Sequence, residues 1–443
     1  MGLANDGGLL VPERIPQLSE ATLASWRNLT YPELATEVFA LFTGEDIPRE
    51  DLKQLVTDSY ATFRHEEVTP IRRLDDGRYV LELFHGPTFA FKDVALQFLG
   101  NLYSYISQRT GSIIHILGAT SGDTGASAIE GVRGKAGIRI CILHPHERVS
   151  KVQELQMTTV DDKNVLNLAV QGTFDDCQRI IKELFADVSF KQAYHLRAIN
   201  SINIARVLAQ TVYYFYAYFQ LRKQGVDGPI SFSVPTGNFG DIFAGFLAKR
   251  MGLPIGQLLL ATNENNILAR FVNEGVYEPG TFRETYSPSM DIQVASNFER
   301  YLYYLHNEDG EQAAALMEQF KREGSMKIAG ELLEQVQHDF AAYSVGNEEC
   351  LDTISAYHEQ FSYLLDPHTA CGAAAADKLA KDGEAAVVLS TAHPAKFNEA
   401  IDRRGLTQTF PEPIQALFDK PQKQQIIGNS NEEVKQQLLT FFQ

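Results

Sequence analysis

The sequence predicts an α/β fold in which two open α/β domains, interleaved along the chain, follow an N-terminal helical region. Three observations predict it. Apolar runs of strand length recur at 112–117, 138–143, 230–234 and 385–389, with few polar interruptions, as parallel strands buried on both faces require. Stretches of helical spacing separate those runs, which is the order of a doubly wound sheet. Short loops rich in Gly, Ser and Thr join strand to helix at 119–125 and 236–241, where open sheets of this kind bind their ligands.

Composition narrows the possibilities. A chain of 443 residues with 44% hydrophobic and 21% charged residues has length for two or three domains with full cores. The formal net charge of −17 repels nucleic acid and anionic lipid. Cys141, Cys177, Cys350 and Cys371 are far apart and form no C-x-x-C pair, so neither a disulfide framework nor a metal site is expected, and a reducing, cytoplasmic setting is. The long apolar stretch 202–221 carries Asn203, Arg206 and Gln210 on a helical repeat, which suits a buried helix better than a membrane span.

In order, residues 1–84 read as the helical region. Asn5-Asp6-Gly7-Gly8 is a turn feeding a short apolar strand, helices are expected over 31–43 and 49–63, and alternation predicts a strand over 79–83. Residues 85–168 read as a small α/β domain, with a helix after Lys92 and strands at 112–117 and 138–143. Residues 169–443 read as a large α/β domain. Its expected elements are helices over 175–184 and 202–221, a strand over 230–234, a loop over 235–240, a helix over 241–251 and a strand over 257–262. A Gly-, Pro-, Ser- and Thr-rich loop spans 274–300, Leu- and Ala-rich helices span 310–343, and a last buried strand spans 385–389. Ser430 and Glu433 form a capping-box pattern before a terminal helix.

Three stretches carry chemistry. In His85-Gly86-Pro87-Thr88-Phe89-Ala90-Phe91-Lys92-Asp93, a lysine at a strand-to-helix junction among aromatic residues loses hydration. That lowers its pKa and suits Lys92 to a Schiff base, although an ordinary surface lysine could also open a helix there. Thr120-Ser121-Gly122-Asp123-Thr124-Gly125 is an anion cup, in which glycines admit the ligand, hydroxyls donate, and the following helix offers free N–H groups. The same letters would also make a simple N-cap. Thr236-Gly237-Asn238-Phe239-Gly240-Asp241 is a second cup, and neither has Walker or G-x-G-x-x-G spacing. A third strand end offers the hydroxyls of Ser390 and Thr391. A Schiff-base lysine, two anion cups and a strand-end hydroxyl together describe a pyridoxal phosphate site acting on an amino acid.

These motifs, together with Asp6-Gly7-Gly8-Leu9, Asn200-Ser201-Ile202-Asn203, Ser296-Asn297-Phe298-Glu299-Arg300 and Ser390-Thr391-Ala392-His393-Pro394-Ala395-Lys396-Phe397, stand in a single order. In that order the chain resembles the longer bacterial subclass of threonine synthases over nearly its whole length. Relatives carry a longer segment ahead of the Asp6-Gly7-Gly8 turn than this chain, which begins at Met1. The resemblance implies a fold-type II pyridoxal phosphate enzyme, with the architecture of tryptophan synthase β. It also implies pyridoxal 5'-phosphate as cofactor and the conversion of O-phospho-L-homoserine and water to L-threonine and phosphate.

By that resemblance Lys92 forms the Schiff base and moves protons, Gly237, Asn238, Phe239, Gly240 and Asp241 hold the cofactor phosphate, and Thr391 faces the pyridine nitrogen. Thr120, Ser121, Gly122, Asp123 and Thr124 grip the substrate carboxylate, although Asp123 stands where many fold-type II relatives carry asparagine. Ser201, Asn203, Arg300 and Lys396 are the candidates for the substrate phosphate, Arg300 first because a guanidinium matches phosphate bidentately. The partners implied are small molecules alone, with no nucleic acid or membrane, for a monomer or homodimer. Two rivals share these motifs. One is a phospho-lyase that releases a 2-oxo acid, ammonia and phosphate; the other is a non-catalytic homologue that binds cofactor or amino acid.

Overall fold

The apolar runs become strands because, flanked by helices on both faces, they have nowhere to place a polar side chain. In the computed structural model, which describes Gly2, Ala4 and residues 6–442, the chain divides into two compact units. One comprises residues 1–53, 65–85 and 201–407, and the other 54–64, 86–200 and 408–443. The expected turn and short strand at the start involve Leu3 and Asn5, which lie outside the described residues along with Met1 and Gln443. What is described there is a turn at Asp6-Gly7 and a single bridge residue, Leu9. Among the described residues no helix is long and apolar enough to cross a membrane.

The unit containing Lys92 has a five-stranded parallel sheet in the order Gln425–Ile427, Val165–Val170, Ile138–Pro145, Ile114–Ala119, Leu196–Ala198. Leu117, Cys141, Leu143, Leu168 and Val170 pack with Cys177 and Ile180 of the helix Phe174–Ala186 and with Val434 and Leu438 of the terminal helix Asn431–Phe442. Residues 169–200 and 408–443, assigned from the sequence to the large domain, thus share a sheet and core with 86–168. The parallel pairing of Gln425–Ile427 with Val165–Val170 draws the C-terminal segment in. The capping box is half formed. Glu433 N–H donates to Ser430 Oγ at 3.5 Å, but the Glu433 carboxylate accepts from Gly428 N–H instead of Ser430 N–H.

The other unit has a six-stranded sheet in the order Ile71–Arg73, Arg78–Glu82, Ala385–Ser390, Ile230–Pro235, Leu258–Thr262, Phe340–Ser344. All neighbours are parallel except the first pair. Within region 1–84 the strand expected over 79–83 forms as Arg78–Glu82, joined by the unexpected Ile71–Arg73, and Phe340–Ser344, expected as helix, is an edge strand. Its five residues pair with Leu258–Thr262, and that tertiary pairing overrides the helical leaning of its two alanines. The helix Ile204–Lys223 is buried along most of its length. Tyr216 receives Tyr31 and Phe215 receives Trp26, in edge-to-face contacts at 5.2 and 5.9 Å.

Candidate active site

Lys92 opens the helix Lys92–Thr110, directly after a turn that is stitched to it from both sides. The carboxylate of Asp93 accepts from Thr88 N–H (2.7 Å), Thr88 Oγ (2.7 Å) and Ser127 Oγ (2.6 Å). Gly86 has to lack a side chain for this, since a Cβ there would stand 2.4 Å from that of Asp93. Arg64, which the sequence reading missed, clamps the same turn. Its guanidinium donates to the carbonyls of Gly86 and Pro87 and lies 3.5 Å above the Phe89 ring.

Lys92 Nζ then stands 3.7 Å from Asp123 Oδ2, with the lysine side chain 12% exposed. Asp123 begins the helix Asp123–Val132. Its other oxygen accepts from Gln153 Nε2 at 2.8 Å, so this carboxylate links Gln153 to Lys92. Thr120 Oγ closes the cup from below by accepting from Gly122 and Gly125 N–H at 3.0 and 2.9 Å. Ser121 is exposed and Thr124 half-buried, which leaves their hydroxyls available to a ligand.

In the other unit, the second cup joins the strand Ile230–Pro235 to the helix Gly240–Arg250. The N–H groups of Gly237, Asn238, Phe239 and Gly240 donate to no acceptor among the described residues. Four orphan donors at a helix N-terminus fit a phosphate. Phe239 takes the left-handed conformation (φ 64°) and drives its ring among Phe298, Tyr301 and Phe340, which fixes the loop to the core. Gly237 has no room for a side chain, because a Cβ would lie 2.6 Å from Ser289 O. Ser289 is itself held by His368 Nε2, which accepts its N–H at 3.2 Å while Nδ1 pairs with Asp366 at 2.9 Å.

Three motifs converge behind this loop. Asn297 donates from its amide to Asn238 O and Ser201 O, Ser296 Oγ donates to Asn238 Oδ1, and Ser201 Oγ lies 2.9 Å from Ser296 Oγ. Arg300 is the centre of the brace. It is 1% exposed and donates to Leu10 O, Ile202 O and Asn297 Oδ1, and burial lowers its pKa to about 10. Expected from the sequence as the first candidate for the substrate phosphate, Arg300 is placed by these three bonds in the scaffold behind the second cup. Asn203 caps the helix Ile204–Lys223 through Ala205 N–H. Lys396 is buried in the short turn Pro394–Lys396, and Thr391 is buried just past the strand Ala385–Ser390.

Asp241, the last residue of the cup, commits one carboxylate oxygen to the core. Its Oδ1 accepts from the hydroxyls of Tyr213 and Tyr214, and burial pushes its pKa up to about 6 against their pull. In the unfolded chain an aspartate releases its proton near pH 4. Between about pH 4 and 6 the native state therefore holds a proton that the unfolded state has lost, and stability falls as pH rises through that window. Asp241→Asn keeps an acceptor for both tyrosines and removes the buried charge. It should raise the melting temperature of the cofactor-free protein at pH 7.5 and not at pH 4.5, with a gain below about 3 kcal/mol. Thermal melts at the two pH values check this.

A family model described as "Pyridoxal-phosphate dependent enzyme" matches residues 62–391. Others described as "Threonine synthase N terminus" and "Threonine synthase, C-terminal" match residues 1–60 and 369–438. The threonine synthase of Schizosaccharomyces pombe is 45% identical, over 99% of this chain and 93% of its own length. The chain belongs to the threonine synthase family. Another threonine synthase, from Pseudomonas aeruginosa, is 45% identical over 98% of this chain and 93% of its own. A crystal structure of pyridoxal-phosphate-bound threonine synthase from Brucella melitensis superposes with a TM-score of 0.96 at 43% identity, covering 100% of this chain and 95% of that one. The fold-type II architecture is therefore the one this threonine synthase family member adopts.

Proposed function

We propose that the protein is a threonine synthase: with pyridoxal 5'-phosphate it converts O-phospho-L-homoserine and water to L-threonine and phosphate. The observation that carries this reading is the placement of Lys92, largely enclosed and 3.7 Å from a carboxylate, in a chain similar to threonine synthases from end to end. When bound, pyridoxal phosphate supplies the electron sink that lets hydrogens leave the substrate's α and β carbons and phosphate leave its γ carbon.

The chain's residues do the rest. Lys92 holds the cofactor and moves protons with its amine. The orphan N–H groups of Gly237 to Gly240 take the cofactor phosphate. Thr391 offers the ring nitrogen a neutral hydroxyl, which leaves it uncharged where an aspartate would hold it protonated. Ser121 and Thr124 bind the substrate carboxylate with the N-terminus of the helix Asp123–Val132. Ser201 and Asn203, both tied into the brace around Asn297 and the helix start, shape the site, and Lys396 is the cation we assign to the substrate phosphate. Four buried cysteines without disulfides support a cytoplasmic setting, and we place the protein there as a monomer or homodimer.

Product analysis tests the function. Incubation of the cofactor-loaded protein with O-phosphohomoserine should yield threonine and phosphate in equal amounts. Formation of 2-oxobutyrate and ammonia would assign it to the phospho-lyases instead, and release of no phosphate would make it a binding homologue.

A further inference from the structure

We infer that Asp123 is a positioning residue for Lys92: its carboxylate anchors the lysine's ammonium form between proton transfers and takes no part in gripping the substrate carboxylate. The inference rests on the function proposed above. Two carboxylates belong to this part of the unit: Asp123, 3.7 Å from Lys92 Nζ, and Asp93, the next residue in the chain, with the Arg64 guanidinium close to Asp93. Asp93 accepts three hydrogen bonds from Thr88 and Ser127, and those bonds tie the turn to the helix. Asp123 is held differently, by a relay that starts at the half-buried Ser150 and ends at the lysine. Ser150 Oγ donates to Gln153 Oε1 (2.9 Å), Gln153 Nε2 donates to Asp123 Oδ1 (2.8 Å), and Asp123 Oδ2 faces Lys92 Nζ at 3.7 Å. The hydroxyl of Ser150 sets which end of the Gln153 amide meets Asp123. Gly122 makes room for the relay, since a Cβ there would lie 2.4 Å from the Gln153 amide carbon and its φ of 145° excludes other residues.

An asparagine at 123 could keep the bond to Gln153 and could equally donate to a substrate carboxylate. An aspartate cannot donate when ionised, and it repels a second carboxylate. What it supplies instead is charge. At this separation in a largely enclosed site, a carboxylate favours the protonated form of the amine and fixes where that amine sits. A lysine that takes a proton from one carbon and returns it to another has to hold that proton in between. The carboxyl group of the substrate then falls to Ser121, Thr124 and the helix N-terminus.

The test is Asp123→Asn, with two readouts. In cofactor-free protein, reductive methylation with ¹³C-formaldehyde followed by NMR titration reports the pKa of Lys92, which should drop by about one unit or more in the variant. In the loaded enzyme kcat should fall roughly 10- to 100-fold, with KM for O-phosphohomoserine within about threefold of wild type if the residue gives no binding energy to the substrate. Gln153→Met, which loosens the carboxylate without removing it, should shift the lysine in the same direction by less, and it serves if Asp123→Asn folds poorly. An unchanged lysine titration in both variants would overturn the inference. So would a raised KM with kcat preserved, the mark of a residue that binds the substrate carboxylate. A wild-type protein that makes no threonine but shows the lysine shift would refute the proposed function and leave the pair standing.

Discussion

Lys92→Ala should release no measurable threonine or phosphate from O-phosphohomoserine, a loss of at least about a thousandfold, and should lose the visible absorbance of bound pyridoxal phosphate. The protein should nevertheless stay folded. Lys92 is the first residue of its helix, where alanine is as good a helix former, and its amine neighbours Asp123, which keeps its bond to Gln153. The turn ahead is held by bonds among Asp93, Thr88 and Ser127 and from Arg64 to Gly86, and the lysine amine takes no part in those bonds. Circular dichroism melts of wild type and variant should therefore agree within a few degrees while phosphate release differs by orders of magnitude. Activity and absorbance both retained would end the assignment of Lys92.

Which features were legible in the sequence depended on how far away their cause lay. The strands Ile114–Ala119 and Ile138–Pro145 are readable because burial on both faces writes itself into consecutive residues. Phe340–Ser344 is not. Its Phe-Ala-Ala-Tyr-Ser run follows a helix and lies at a sheet edge, so only its pairing with Leu258–Thr262 makes it a strand. The same divide runs through the candidate site. Lys92 and the two cups show themselves by glycine, hydroxyl and lysine letters at strand-to-helix junctions. Arg64 does not, since the carbonyls and ring it engages lie 22 residues or more along the chain. The bracing by Arg300 was hidden for a related reason. A guanidinium in a family motif suggests an anion, but two of its three described partners are carbonyls of Leu10 and Ile202, which carry no side-chain signature. For Asp123 the letter alone leaves the role open, and the residues that orient it, Gln153 and behind it Ser150, lie about thirty positions further along the chain.

Gly100→Ala should be strongly damaging for a single-methyl change. By helix propensity alone it should stabilise, because Gly100 lies inside the helix Lys92–Thr110 and alanine is favoured over glycine there by roughly 1 kcal/mol. Packing reverses the sign. A Cβ at position 100 would sit 2.0 Å from Gly131 O, and one at Gly131 would sit 2.5 Å from Leu96 O. The helices Lys92–Thr110 and Asp123–Val132 thus meet backbone to backbone, and the obstructing atoms are carbonyls that no rotamer change can move. Relief requires the helices to separate, which opens space around the buried Leu96, Phe98, Ala128 and Ile129. Overpacking of this kind costs typically 1–3 kcal/mol and occasionally more, so the net effect should be destabilisation despite the better helix former. The two helices also carry Lys92 and Asp123 at their first residues, so parting them should lengthen the 3.7 Å pair. Gly100→Ala should therefore lower both the melting temperature and the Lys92 pKa in cofactor-free protein, whereas Gly310→Ala, with open space around it, should change neither. A Gly100→Ala protein as stable as wild type would show that these helices do not meet as closely as described.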